Sequence, residues 1–178
     1  MQPHLIGPTT SRLHHRALAP VDAEAFFALN SHPDVMRHTG EPPLESVEQA
    51  RQAIIDYPDF HTRGFGRWGC FLRDTDELIG FCGLKYLDDL DAVDIGYRFL
   101  PEHWGKGYAT EAATASLAFG FETIGLDRII ALVLPENAAS IRVIEKIGMR
   151  FVGDEMCEGL SARRYQVCRG DWSGVAAE

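Results

Sequence analysis

Apolar and polar positions change their spacing several times along this chain. Near the start, "SRLHHRAL" alternates with a period of two, the pattern of a half-buried strand. "PVDAEAFFALN" follows, with a proline near its start and then helical composition. "HPDVMRH" predicts one short helical turn. Ser46 and Gln49 form an S-x-x-Q capping box ahead of "ARQAIIDY", which predicts a helix to about Tyr57. "PDFHTRGFG" predicts loop. The period then returns to two. "RWGCFLR", "ELIGFCGLKYL" and "AVDIGYRFL" predict three strands, and the short "DTD" and "DDLD" between them predict antiparallel hairpins. "YATEAATASLAFGFETI" predicts a helix with Ala113, Leu117, Phe121 and Ile124 along one stripe, ended by Gly125. "RIIALVLP" is a continuous apolar run, the mark of a buried strand. "SIRVIEKI" predicts a short helix closed by Gly148, and "MRFVGDEMCE" with "ARRYQVCR" predicts a last hairpin. The order β-α-α-β-β-β-α-β-α-β-β is that of an α/β fold with a mixed, mainly antiparallel sheet of about seven strands flanked by about four helices.

Composition narrows the function classes. At 178 residues, one domain spanning 1–178 is expected and two would be cramped. Lys plus Arg number 17 and Asp plus Glu 26, a net charge of -9. Such a chain is not expected to seek nucleic acid or anionic membrane nonspecifically, and suits amine partners better. The longest apolar run, "IIALVL" (Ile129 to Leu134), is far too short for a bilayer span. "MQPHLIGPTTSRL" lacks a charged segment followed by an apolar core, so no signal peptide is expected. Cys70, Cys82, Cys157 and Cys168 include no CxxC pair, and read as buried thiols in a reducing cytoplasm. No metal site is expected: His14 and His15 are adjacent, and neighbours on a strand point to opposite faces. There is no internal repeat, and "SGVAAE" reads as a frayed tail.

The stretch that carries chemistry is "YRFLPEHWGKGYATEA", a strand, a turn and a helix start. Unpaired backbone N–H groups and the helix dipole make such a start an anion site. Gly105 and Gly107 have no Cβ, so the backbone can approach a bulky phosphate, and Lys106 adds a point charge. A Walker loop does not fit, because Leu100 stands at its first glycine and Gly107 at its Ser or Thr. A dinucleotide fingerprint does not fit either: its third small position is Thr110, and it belongs in an early βαβ unit. A plain glycine-rich turn remains the alternative.

Trp104-Gly105-Lys106-Gly107-Tyr108-Ala109 resembles the pyrophosphate loop of the GNAT acetyltransferases, [QR]-x-x-G-x-[GA], with Trp at the first position. "GYATEA" is similar to the branch of ribosomal-protein N-terminal acetyltransferases. A second block, "LPENAASIRVIEKIGMRFVG", resembles the family's next motif through Asn137, Ser140, Glu145, Lys146, Gly148 and Met149. "SRLHHRALAPVDAEAFFAL" resembles its opening, so the likeness runs from about Ser11 to Arg169. It implies a strongly twisted sheet that splays between "AVDIGYRFL" and "RIIALVL". It also implies acetyl-CoA as co-substrate, a primary amine as acceptor and a homodimer. Thr110 falls in the first helical turn behind the loop. Asn137 and Gly148 also read simply as helix caps. Arg142 and Lys146 share a helix face at i,i+4. With Lys106 and Arg150 they are expected to edge the phosphate and adenosine end, the alternative being a solvated face. Trp104 is expected to pack against the loop or the cofactor edge.

The implied reaction is direct attack of a neutral amine on the thioester, with no acyl-enzyme. The family alignment places backbone donors for the thioester oxygen at Arg98, Phe99 and Leu100. Ser140 is the aligned candidate for protonating the thiolate, since the Tyr of many relatives is replaced by Ile144. Its other reading is a helix-start hydroxyl. Asp94, where relatives often carry Glu, is the candidate base; its other reading is an exposed strand carboxylate. Asp88, Asp89 and Asp91 form an acidic approach or a solvated hairpin tip. Glu102 and His103 suit positioning or surface roles. An α-amine, with a pKa of about 7.7–8.0, is easier to use at pH 7 than a lysine amine at about 10.4. A non-catalytic acyl-CoA-binding domain is the second function class these residues allow.

Overall fold

The computed structural model describes residues 2–157 and 159–174, the side chain of Cys157 excepted, so the last four residues of the expected frayed tail lie outside the described residues. The strands are β1 (Ile6–Thr9), β2 (Leu13–Arg16), β3 (Arg67–Leu72), β4 (Leu78–Leu87), β5 (Ala92–Phe99), β6 (Arg128–Val133), β7 (Arg150–Cys157) and β8 (Leu160–Cys168). They join one sheet in the order β1-β2-β3-β4-β5-β6-β8-β7. Every neighbouring pair is antiparallel except β5 and β6.

The sheet has eight strands where about seven are expected. The extra one is β1, whose "IGPT" carries two residue types depleted in strands. It forms because it is an edge strand, where Pro8 removes no shared ladder bond. Gly7 also lies flat on Trp68: a Cβ there would sit 2.7 Å from the indole.

The four longer helices are α1 (Ala23–Ser31), α3 (Val47–Ile55), α5 (Tyr108–Ala118) and α6 (Ala138–Lys146). Two single turns, α2 (Pro33–Met36) and α4 (Asp59–Thr62), join them, and α4 falls in a stretch expected as loop. Ser46 caps α3 by accepting from the Gln49 N–H at 3.1 Å. α5 runs on into a π-helical turn over Phe119–Ile124, which Gly125 ends with φ +86°. No helix among the described residues is long and apolar enough to cross a membrane.

α5 and α6 cover one face of the sheet, over a core that includes Leu84, Ile95, Leu117, Ile129, Ile144 and Tyr165. α1 and α2 cover the other through a smaller cluster of Leu29, Val35, Met36 and Phe81. Because neighbouring strand residues face opposite sides, odd-numbered positions of β5 join the first layer and even-numbered ones the second. β5 and β6 form a ladder pair only at Asp94 and Ile130. Beyond it the parallel strands part, and a cleft opens between them.

Candidate active site

The cleft has a volume of about 810 Å³ and is walled by the end of β5, the loop after it, the first turns of α5 and α6, and the segment after α2. Gly105 and Gly107 take φ +72° and +82°, a left-handed conformation that favours glycine. Gly107 is the N-cap of α5, and the first bond back into the helix is from Glu111 N to Gly107 O at 3.0 Å. The N–H groups of Tyr108, Ala109 and Thr110 therefore precede the helical ladder, and all three residues line the cleft. A Cβ on Gly105 would meet nothing within 4 Å, so the loop leaves open space beside its backbone. This geometry fits the pyrophosphate of a coenzyme A.

Trp104 and Arg12 hold the loop in place. The half-exposed Trp104 donates its indole N–H to the Phe99 carbonyl at 2.7 Å, tying the loop to the end of β5. From the turn after β1, the Arg12 guanidinium stacks over the Tyr108 ring at 4.2 Å and donates to the Lys106 carbonyl at 2.9 Å. Arg12 also binds Glu111, which accepts from the Thr10 hydroxyl at 2.6 Å and the Arg12 N–H at 3.0 Å. Burial pushes the Glu111 carboxyl up, but those bonds outweigh it and hold it below the usual range. His103 lies edge-on to Tyr108, with ring centres 5.9 Å apart, which is a positioning contact.

Asn137 caps α6 by accepting from Ser140 N at 3.1 Å. The Ser140 hydroxyl stands 2.9 Å from the hydroxyl of Tyr97, which also donates to the Ser140 carbonyl at 3.1 Å. Burial raises the Tyr97 phenol above its ordinary pKa, so it stays protonated at working pH. The position aligned with the missing Tyr, Ile144, is 2% exposed and belongs to the core. Gly148 ends α6 at φ +92°.

Asp94 is not exposed: it retains 6% of its surface. Its Oδ2 accepts from Arg67 at 2.9 Å and its Oδ1 from the Leu132 N–H at 3.1 Å, so it bridges β5 to β6 where they part. The Arg67 guanidinium reaches it by lying across Gly96, where a Cβ would sit 2.5 Å from a guanidinium nitrogen. Burial pushes the Asp94 carboxyl up to about 6, against the pull of Arg67.

Of the predicted site residues, Leu100 and Lys106 do not line the cleft. Leu100 donates its N–H to Ile79 O at 3.0 Å, so it is bonded to β4 and offers no donor to a thioester. Alternation along β5 turns the neighbouring Phe99 N–H away from β4, toward the parting. Arg98 sends its side chain to Asn30 and Glu41, both at 2.8 Å. Lys106 contributes its carbonyl to Arg12 and, like Arg150, is absent from the cleft wall. Arg142 and Lys146 line it. The acidic hairpin tip is not an approach to the site: Asp88 pairs with Arg63, Asp91 accepts from the Tyr86 hydroxyl, and neither lines the cleft. Arg12, Arg67, Tyr97 and Glu111 were not expected. Gly96 is the one sequence signal that a side chain crosses the strand.

Comparison with known proteins completes the picture. The family model described as "Acetyltransferase (GNAT) domain" matches residues 12–150. The uncharacterized N-acetyltransferase YoaA of Bacillus subtilis (strain 168) is 40% identical over 146 residues, covering 81% of this chain and 82% of the relative. The crystal structure of a GNAT-family acetyltransferase from Bacillus anthracis has a TM-score of 0.78 at 30% identity, over 92% of this chain and 98% of that one. The spermidine N-acetyltransferase of Vibrio cholerae, solved with CoA and spermine, has a TM-score of 0.76 over 92% of this chain and 99% of that one. At 23% identity that last likeness is one of fold.

Proposed function

The chain belongs to the GNAT acetyltransferases, and from that premise we propose that it moves the acetyl group of acetyl-CoA to a primary amine by direct attack in a ternary complex. The observation that carries the reading is one cleft with two unlike walls. A glycine-built helix start suits pyrophosphate on one side, and a buried carboxylate stands at the strand parting on the other. Arg142 and Lys146 add positive charge beside the helix start.

The amine nitrogen bonds to the thioester carbon, and the carbon–sulfur bond breaks. Asp94 takes the amine proton. The departing thiolate takes a proton from the Ser140 hydroxyl, which Tyr97 resupplies; Tyr97 then regains a proton from solvent and Asp94 gives one up to it. Backbone N–H groups of β5 that alternation turns toward the parting suit the oxygen as it gains charge. The reading is tested by thiol release from acetyl-CoA by the purified protein across a broad panel of small amines and N-terminal peptides. Amine-dependent release is expected. The buried Ile144 favours a second reading, a domain that binds acyl-CoA without turnover. Acetyl-CoA binding with no release on any amine would select it.

A further inference from the structure

On the α1–α2 side of the sheet the cleft opens into a second cavity of about 620 Å³, within the usual size of a small-molecule site. The two spaces share Glu41, Arg67, Phe81, Lys85 and Arg98. The interior of the second is largely apolar, with Phe26, Met36, Ile54, Phe60 and Phe81 in its wall.

Its charges are matched with one exception. Arg16 pairs with Asp22 at 2.8 Å, Arg67 with Asp94 at 2.9 Å and Arg98 with Glu41 at 2.8 Å. Lys85 forms no ion pair among the described residues, although it lines both spaces. Beside it, the buried Nε–H of Arg67 has no acceptor among the described residues. The throat between the spaces thus offers unpaired donors and no unpaired carboxylate, in a chain whose net charge is -9. In the β4–β5 register Lys85 stands directly opposite Asp94. Such cross-strand neighbours have Cβ atoms roughly 4.5–5.5 Å apart on the same face.

We infer that the acceptor is a free α-amino acid with a large apolar side chain, an inference that rests on the acetyl transfer proposed above. The amine meets Asp94, the carboxylate on the next carbon meets Lys85, and the side chain fills the apolar cavity. A polyamine brings a second cation to a throat with no carboxylate left for it. A peptide N-terminus presents Lys85 with a neutral carbonyl. A free amino acid's amine is more basic than a peptide's, and this is where a buried carboxylate able to take a proton is needed. The proton passes from nitrogen to Asp94 as the new carbon–nitrogen bond forms.

The test compares kcat/KM for L-phenylalanine, L-leucine, their C-terminal amides and spermidine, using the full chain and thiol release. The free acids are expected to exceed their amides by about tenfold or more, the scale of a charge-assisted hydrogen bond, with spermidine lowest. Lys85→Gln should bring the acid-to-amide ratio close to one. Amides or spermidine equal to the acids would overturn the inference while leaving acetyl transfer intact. So would a Lys85→Gln loss shared equally by acid and amide, which marks a structural role. Failure of every amine to drive release sinks the transfer reading instead. In that case, calorimetric binding of L-phenylalanine and its amide to the CoA-loaded protein decides the inference: preference for the acid supports it, and equal binding overturns it.

Discussion

The two sides of the cleft handle charge in opposite ways. The α5–α6 side relies on the backbone: two left-handed glycines, three N–H groups ahead of the helical ladder and the dipole of an 11-residue helix. Its side-chain cations, Arg142 and Lys146, are exposed and only border it. The α1–α2 side relies on side chains brought from distant segments: Arg67 to Asp94 and Arg98 to Glu41. A site made of backbone changes when the chain's conformation changes. A site made of ion pairs changes when one atom of charge is removed. Substitutions in the glycine loop and in the Arg67–Asp94 pair should therefore separate cleanly into effects on donor affinity and effects on turnover.

The sharpest break in that comparison is Asp94→Asn. It should lower kcat/KM by about 10²–10⁴-fold, the span of general acid–base catalysis, while acetyl-CoA affinity measured by calorimetry stays near the parent value. Equal losses in both would mean that Asp94 only holds β5 to β6. Next come Ser140→Ala and Tyr97→Phe, each expected to lower kcat by about 10²-fold at saturating acetyl-CoA. Because the two hydroxyls act through one bond, the double variant should be no worse than the worse single variant. Additive losses in stopped-flow turnover would show two independent roles.

Gly107→Val tests the backbone side. A left-handed L-residue costs about 1–2 kcal/mol, so the acetyl-CoA dissociation constant should rise by about tenfold, with kcat at saturation little changed. The smallest effect is expected for Arg12→Ala. It removes a surface clamp worth about 1 kcal/mol, and should weaken acetyl-CoA binding about fivefold without a change in the pH profile.

The same division explains what could be read from the amino-acid order. The loop was legible because its parts are contiguous: glycines, helix start and caps lie within a few residues of one another. Gly125, Asn137 and Gly148 were legible for the same reason. Asp94 was found by its place before Gly96, yet its burial was not, because the partner that crosses Gly96 lies 27 residues upstream on another strand. Tyr97 was overlooked because its partner, Ser140, is 43 residues away on α6. The run "DDLDAVD" allows an acidic approach or a solvated hairpin tip, and its pairing with Arg63 and Tyr86 favours the tip. β1 was missed because edge pairing overrides the poor strand propensity of "IGPT". Net charge describes the chain and not the cleft. The whole chain is acidic, but six Lys and Arg residues and four carboxylates line the cleft.

The most direct test of the account is the pH dependence of amine-driven thiol release in the parent and in Asp94→Asn. Asp94 must be ionised to take a proton, and its pKa stands at about 6. With an acceptor in hand, kcat/KM for acetyl-CoA at saturating amine should therefore fall as pH drops through about 6, and that limb should vanish in the Asn variant. Saturable acetyl-CoA binding with no amine-dependent release at any pH, or an acid limb that survives Asp94→Asn unchanged, would contradict it.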